Sequence, residues 1–120
     1  MGYLSLTKAG TVRGPHEHRS QTDLFYFGAE TRFRLYLWDN RNGSPTFGRP
    51  EQIELVSVNG LLVHIPPGVV HAYRNIGPAD GLVLNFPNRL YAGPHRAEPV
   101  DEIRHEDDPS SPFVIDDKDE

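Results

Sequence analysis

An all-β fold, a small barrel or jelly roll of the double-stranded β-helix kind, is what this sequence predicts. Three observations carry that prediction. The apolar residues fall in short runs, several of them alternating with polar ones. Eleven glycines and eleven prolines punctuate those runs across 120 residues. No stretch of any length carries a helical period. About eight short strands at close spacing close on themselves as a small barrel. The length suits one domain, expected over residues 1–115, with an acidic, disordered tail over 116–120.

In chain order, Tyr3 to Thr7 alternates and reads as an edge strand. Thr11 to His18 follows, then a turn over Arg19 to Thr22. Asp23 to Phe27 is strand-like and stops at Gly28. Arg32 to Asp39 alternates most clearly, with Phe33, Leu35 and Leu37 on one face. Asn40 to Pro45 is dense in turn residues. Ile53 to Val58 and Leu61 to Ile65 flank Asn59-Gly60, which reads as a hairpin turn. His71 to Ile76 and Leu82 to Phe86 complete the strands. Asn85 is the one polar residue inside the last apolar run, and a buried amide needs partners. Asn88 to Pro99 reads as loop, and Val100 to Glu106 as a short helix or strand.

Composition excludes several classes. With no cysteine there is neither a disulfide nor a thiolate metal site. No apolar run approaches the ~20 residues of a membrane span, and no basic-then-apolar leader opens the chain. A soluble, cytoplasmic protein is expected. The net charge of -5 is uneven: from Glu98 onward there are ten acidic and two basic residues, which leaves seven acidic and ten basic before it. The body can therefore take an anionic small molecule, and no basic stripe marks a nucleic-acid binder.

Two segments concentrate the chemistry-bearing side chains. The first runs from Gly10 through His16 and His18 to Asp23; the second runs from Gly60 through Pro66, Gly68 and His71 to Asn75. Residues two apart in a strand share a face, so His16 and His18 project together. If the two segments are neighbouring strands, His71 joins them, and three imidazoles converge with the Asp23 carboxylate. The spacings resemble the two motifs of the cupin superfamily: Gly, five residues, His-x-His, then an acid; and Gly, five residues, Pro-x-Gly, two residues, His, three residues, Asn. Asp23 stands where the first motif has Glu, and Gly28 lies closer than that motif asks.

Further segments resemble one branch, the dTDP-4-dehydrorhamnose 3,5-epimerase family. They are Arg13-Gly14-Pro15-His16, Asp39-Asn40-Arg41 with Ser44-Pro45-Thr46-Phe47-Gly48, Ile65 to His71, Tyr91 before Gly93-Pro94, and Asp107-Asp108-Pro109. The resemblance implies an isomerase acting on a keto-sugar nucleotide, and a homodimer. It makes His16 the base that removes protons beside the substrate's 4-keto group, and Asp108 the acid paired with it. It gives Tyr91 a place near the sugar, Arg13 a contact to the nucleotide or its diphosphate, and His71 a second active-site position. The exposed edge at Tyr3 to Thr7, which needs covering, also points to a dimer.

The chain departs from that pattern at telling places. Asp23 stands at the family's enolate-stabilising lysine, Asn85 at its general-acid tyrosine, and His18 at a glutamine. These changes restore the cupin metal set of His16, His18, Asp23 and His71, a donor set suited to divalent Fe, Mn, Ni, Zn or Co. Two expectations follow. One is an epimerase-like isomerase with metal assistance. The other is a metal-binding cupin with different small-molecule chemistry or a sensing role.

Overall fold

The computed structural model describes residues 1–116. The acidic tail expected over 116–120 thus lies, beyond Asp116, outside the described residues. Among the described residues nine strands form in order: β1 (Tyr3–Thr7), β2 (Val12–Glu17), β3 (Asp23–Phe27), β4 (Thr31–Asp39), β5 (Pro50–Ser57), β6 (Leu61–Ile65), β7 (Val69–Asn75), β8 (Gly81–Asn85) and β9 (Ile103–Arg104). Single 3-10 turns occupy Pro94–Arg96 and His105–Asp107.

The strands make two antiparallel sheets, ordered β1-β8-β3-β6 and β5-β4-β7-β2-β9. Period-two alternation decides which side chains fill the space between them. Phe25 and Phe27 from β3, Phe33 and Leu35 from β4, Tyr73 from β7 and Val83 from β8 form the centre of the core. The outer face of the first sheet stays apolar but uncovered, with Leu4, Leu6 and Leu62 all at least 60% exposed. The last described residues return to the second sheet, where the Phe113 ring lies 5.8 Å from Trp38 and 4.7 Å from His105.

Asn59-Gly60 is not a hairpin turn. β5 pairs with β4 and β6 with β3, so this turn carries the chain from one sheet to the other. The glycine is required there for a different reason: φ is +85°, and a Cβ would collide with the Tyr26 ring. Asp39 to Gly48 is likewise a built loop. The Asp39 carboxylate accepts from Arg41 N, Nε and Nη2 and from the Ser44 and Thr46 hydroxyls. Those bonds hold Asp39 well below the usual carboxylate range, the Arg41 guanidinium first among them. The Ser44-Pro45-Thr46-Phe47-Gly48 segment, one of those that carry the resemblance, is therefore a clip around Asp39.

Candidate active site

β2 and β7 are neighbours, with His16 directly opposite His71. Their register shifts between Arg13 and His16, and Gly14 sits in that irregularity at φ +95°. A Cβ on Gly14 would lie 2.6 Å from the His71 carbonyl oxygen, so only glycine lets β2 pass this close. The His16 ring meets His71 edge-on at 4.7 Å and lies 6.0 Å from His18. One nitrogen from each of the three rings falls within 4.8 Å of the others. Asp23 reaches them across the barrel, from the first residue of β3.

The tautomers follow from the hydrogen bonds. His18 Nδ1 faces the Asp101 carbonyl, and His71 Nδ1 lies 3.0 Å from the Val69 carbonyl. A carbonyl only accepts, so each Nδ1 carries a hydrogen. Each Nε2 is then turned to one oxygen: Asp23 Oδ2 is 3.0 Å from His18 and 3.3 Å from His71. Two lone pairs cannot both face a carboxylate oxygen comfortably, so positive charge belongs here. Burial alone would lower the His18 pKa, but its bonds to Asp23 and Asp101 carry it above the ordinary value. Burial would raise Asp23, yet the bonds from His18, His71 and Gln21 pull it well below the carboxylate range. The Asp23 side chain is completed by Gln21 Nε2 at 2.7 Å and Asn85 Nδ2 at 3.2 Å, both donating to Oδ1.

His16 differs from its neighbours. Burial, with His71 and His18 nearby, pushes its pKa down to about 3, so it is neutral at pH 7. Its Nδ1 has no hydrogen-bond partner, but Glu106 Oε2 lies 3.5 Å away and Glu102 Oε1 3.7 Å away. β9 brings both, because Arg104 pairs with His16 across the strand edge. Burial raises the Glu106 pKa.

A cavity of about 890 Å³ opens beside these groups, lined by Arg13, His16, Tyr73, Asn85, Arg89 and Tyr91 among others. His18 and Asp23 also reach it. His71 does not line it: at 1% exposure it sits behind His16 and Phe25, with its Nε2 turned to Asp23. Tyr91, on the loop after β8, is 51% exposed at the rim. Asp108 lies apart from this cluster. Its carboxylate takes the N–H and hydroxyl of Ser110 on the surface and does not line the cavity; the acids beside His16 are Glu102 and Glu106. The chain after Val100 runs back along β2 through β9 and into the His105–Asp107 turn, which brings Glu102 and Glu106 to His16 while Asp108 lies beyond the turn.

Sequence reasoning missed Asp101, Glu102, Glu106, Tyr73 and Arg89. Asp101 binds the backbone N–H groups of Arg19, Ser20 and Gln21 at 2.7, 2.9 and 2.9 Å, and its carbonyl fixes His18. In sequence it belongs to an acidic run, which ordinarily means solvated surface. Tyr73 was visible as the residue two beyond His71, on the same strand face.

A two-sheet jelly roll that gathers imidazoles and carboxylates at one cavity defines a cupin-like protein. Within that class the chain belongs to the dTDP-4-dehydrorhamnose 3,5-epimerase family, which it matches over residues 2–98. It is 33% identical over 92 residues to the probable low-salt glycan biosynthesis epimerase Agl13 of Haloferax volcanii, covering 76% of this chain and 58% of that protein. It is 30% identical to the spore coat polysaccharide biosynthesis protein SpsL of Bacillus subtilis, covering 75% of this chain and 60% of the relative. The chain thus spans less than two thirds of either relative. Among solved structures, the dTDP sugar isomerase of Desulfovibrio desulfuricans G20 superposes with a TM-score of 0.75 at 30% identity, covering 95% of this chain and 69% of that one.

Proposed function

We propose that this chain is an isomerase of keto-sugar nucleotides that works by removing a proton next to a carbonyl. The observation that carries the reading is His16: a neutral imidazole facing a cavity large enough for such a substrate, with two carboxylates near its other nitrogen. A carbon acid beside a ketone needs a base that is unprotonated at working pH. His16 is unprotonated, and the strength it needs to take a proton comes from the two carboxylates beside its Nδ1. When it accepts a proton, Glu106 and Glu102 are placed to hold the imidazolium, their present 3.5 and 3.7 Å separations closing as the cation forms. Arg13 and Arg89 line the same cavity and supply positive charge for a diphosphate. The family match and the epimerase relative support the reading.

The test is solvent deuterium exchange into a dTDP-4-keto-6-deoxy sugar, followed by NMR. Wild-type protein should exchange the hydrogens beside the ketone, and His16→Asn should not. Absence of exchange by wild type ends the reading.

A second reading rests on the three imidazole nitrogens within 4.8 Å of one another. The donor set fits a divalent transition metal: His18 and His71 have Nδ1 fixed by carbonyls, which turns Nε2 of both toward the Asp23 carboxylate and His16. His16, His18, His71 and Asp23 would hold the ion, which as a Lewis acid would stabilise an enolate oxygen. Elemental analysis of untagged protein beside His18→Ala decides it. Near-stoichiometric metal lost in the variant supports this reading, and no metal in either removes it.

The apolar outer face of the first sheet supports a homodimer as the working unit. Leu4 pairs with Leu84, Leu84 with Tyr26, and Tyr26 with Leu62, one row across all four strands.

A further inference from the structure

We infer that Tyr73 is the hydrogen-bond donor to the substrate's carbonyl oxygen, a role that rests on the isomerase reading above. Proton removal by His16 leaves the electron pair of the C–H bond to form a carbon–carbon double bond, and moves the carbonyl π electrons onto oxygen. That oxygen needs a donor in a dry site. The side chain at Asp23 cannot serve, because it is an anion already saturated by His18, Gln21 and Asn85.

Tyr73 answers the need by position. It lies two residues beyond His71 on β7 and so shares the inner sheet face, about 7 Å farther along the strand. It is opposite Arg13 in the register, as His71 is opposite His16. A base and a donor on adjacent strands of one wall suit a carbon and the oxygen of its neighbouring carbonyl. The ring is held by Phe25 at 5.9 Å, Phe27 at 5.3 Å and Phe33 at 5.7 Å, so the hydroxyl is aimed by packing. The residue is only 7% exposed, yet it lines the cavity. Among the described residues its hydroxyl meets no protein partner, and it is not among the sealed polar atoms. A phenol held in an apolar wall ordinarily finds a partner; here the free partner is a ligand in the cavity. The other two tyrosines of the cavity stand at its rim: Tyr3, 44% exposed, bonds Met1 Sδ, and Tyr91 is 51% exposed.

The experiment compares wild type and Tyr73→Phe for deuterium exchange and for net isomerisation of a dTDP-4-keto-6-deoxy sugar. Phenylalanine keeps the ring contacts, and a thermal melt confirms folding. The donor role predicts that Tyr73→Phe lowers exchange and turnover together, by about 10²-fold, with KM little changed. Exchange retained while net isomerisation is lost would make Tyr73 a late proton donor and overturn the assignment. Unchanged kcat, or a change confined to KM, would overturn it as well. Wild type without exchange would instead overturn the isomerase reading, and this assignment with it.

Discussion

The Nε2 of His18 lies 3.0 Å from Asp23 Oδ2 while its Nδ1 donates to the Asp101 carbonyl, so this imidazole is tied at both nitrogens. Both nitrogens are engaged within the protein, so neither faces a substrate as a base. His16, two residues earlier, has neither tie, and its Nδ1 is unpartnered. The two histidines share a strand face but not a job: one is anchored at both nitrogens against a buried carboxylate, the other is a neutral group open to the cavity.

That division gives a pH signature in chelator-treated protein. His18 is more basic folded than unfolded. Its contribution is therefore complete below the ordinary value of 6.5 and is lost as pH rises through the raised folded value. Asp23 runs the other way: its share is present above 3.8 and fades as pH falls toward the depressed folded value. Asp23→Asn removes both. Urea denaturation should show a loss of roughly 3 kcal/mol at pH 6, and a stability that no longer declines between pH 6 and 9. A decline as steep as wild type's would show that His18 is not charged through Asp23.

His16 governs the acid side. Its folded pKa is pushed down to about 3 from 6.5, so between those values the unfolded chain binds the proton more tightly. Stability should fall as pH drops from 6.5 toward 3, by at most roughly 4 kcal/mol from this group. His16→Asn should flatten that limb while leaving the alkaline one. Denaturation curves at pH 4, 5 and 6 measure it, and an unchanged slope would mean that His16 is already charged in the fold.

The strands were legible because period-two alternation is a local signal. Phe33, Leu35 and Leu37 on β4 need no partner to be recognised. The pairing of β2 with β7 was legible for a related reason: the His-x-His and Pro-x-Gly motifs sit at fixed offsets from turns. What escaped were contacts made by chain return. Glu102 and Glu106 face His16 only because Ile103-Arg104 adds a strand to the edge of β2, about 85 residues downstream. A two-residue strand inside an acidic run has no periodicity to read. Asn59-Gly60 misled in the opposite sense, since its turn chemistry is local but its destination, the other sheet, is not.

The row Leu4, Leu84, Tyr26 and Leu62 crosses every strand of the first sheet, and both ends are more than 60% exposed. A continuous apolar row on a sheet face is costly in water and is relieved by a second sheet. Leu62→Glu places a charge in that row without touching the cavity. Light scattering at micromolar concentration should give a dimer for wild type and a monomer for the variant. A monomeric wild type would leave the face without this partner.

The last prediction concerns the acid that serves His16. The resemblance put Asp108 there, but its carboxylate is occupied by Ser110, which holds it below the usual range. Glu106 and Glu102 lie 3.5 and 3.7 Å from His16 Nδ1, and Arg104 reaches both at 3.6 and 3.7 Å. An acid that orients an imidazole acts through charge and direction, so an amide of equal size should not replace it. Glu106→Gln should lower kcat for isomerisation by about 10²-fold with KM nearly unchanged, and adding Glu102→Gln should lower it further. Asp108→Asn should stay within about twofold of wild type, as surface substitutions do. Glu106→Asp, which keeps the charge on a shorter arm, should recover part of the loss. Loss of activity in Asp108→Asn with Glu106→Gln unaffected would return the pairing to Asp108 and require the 105–108 turn to rearrange when substrate binds.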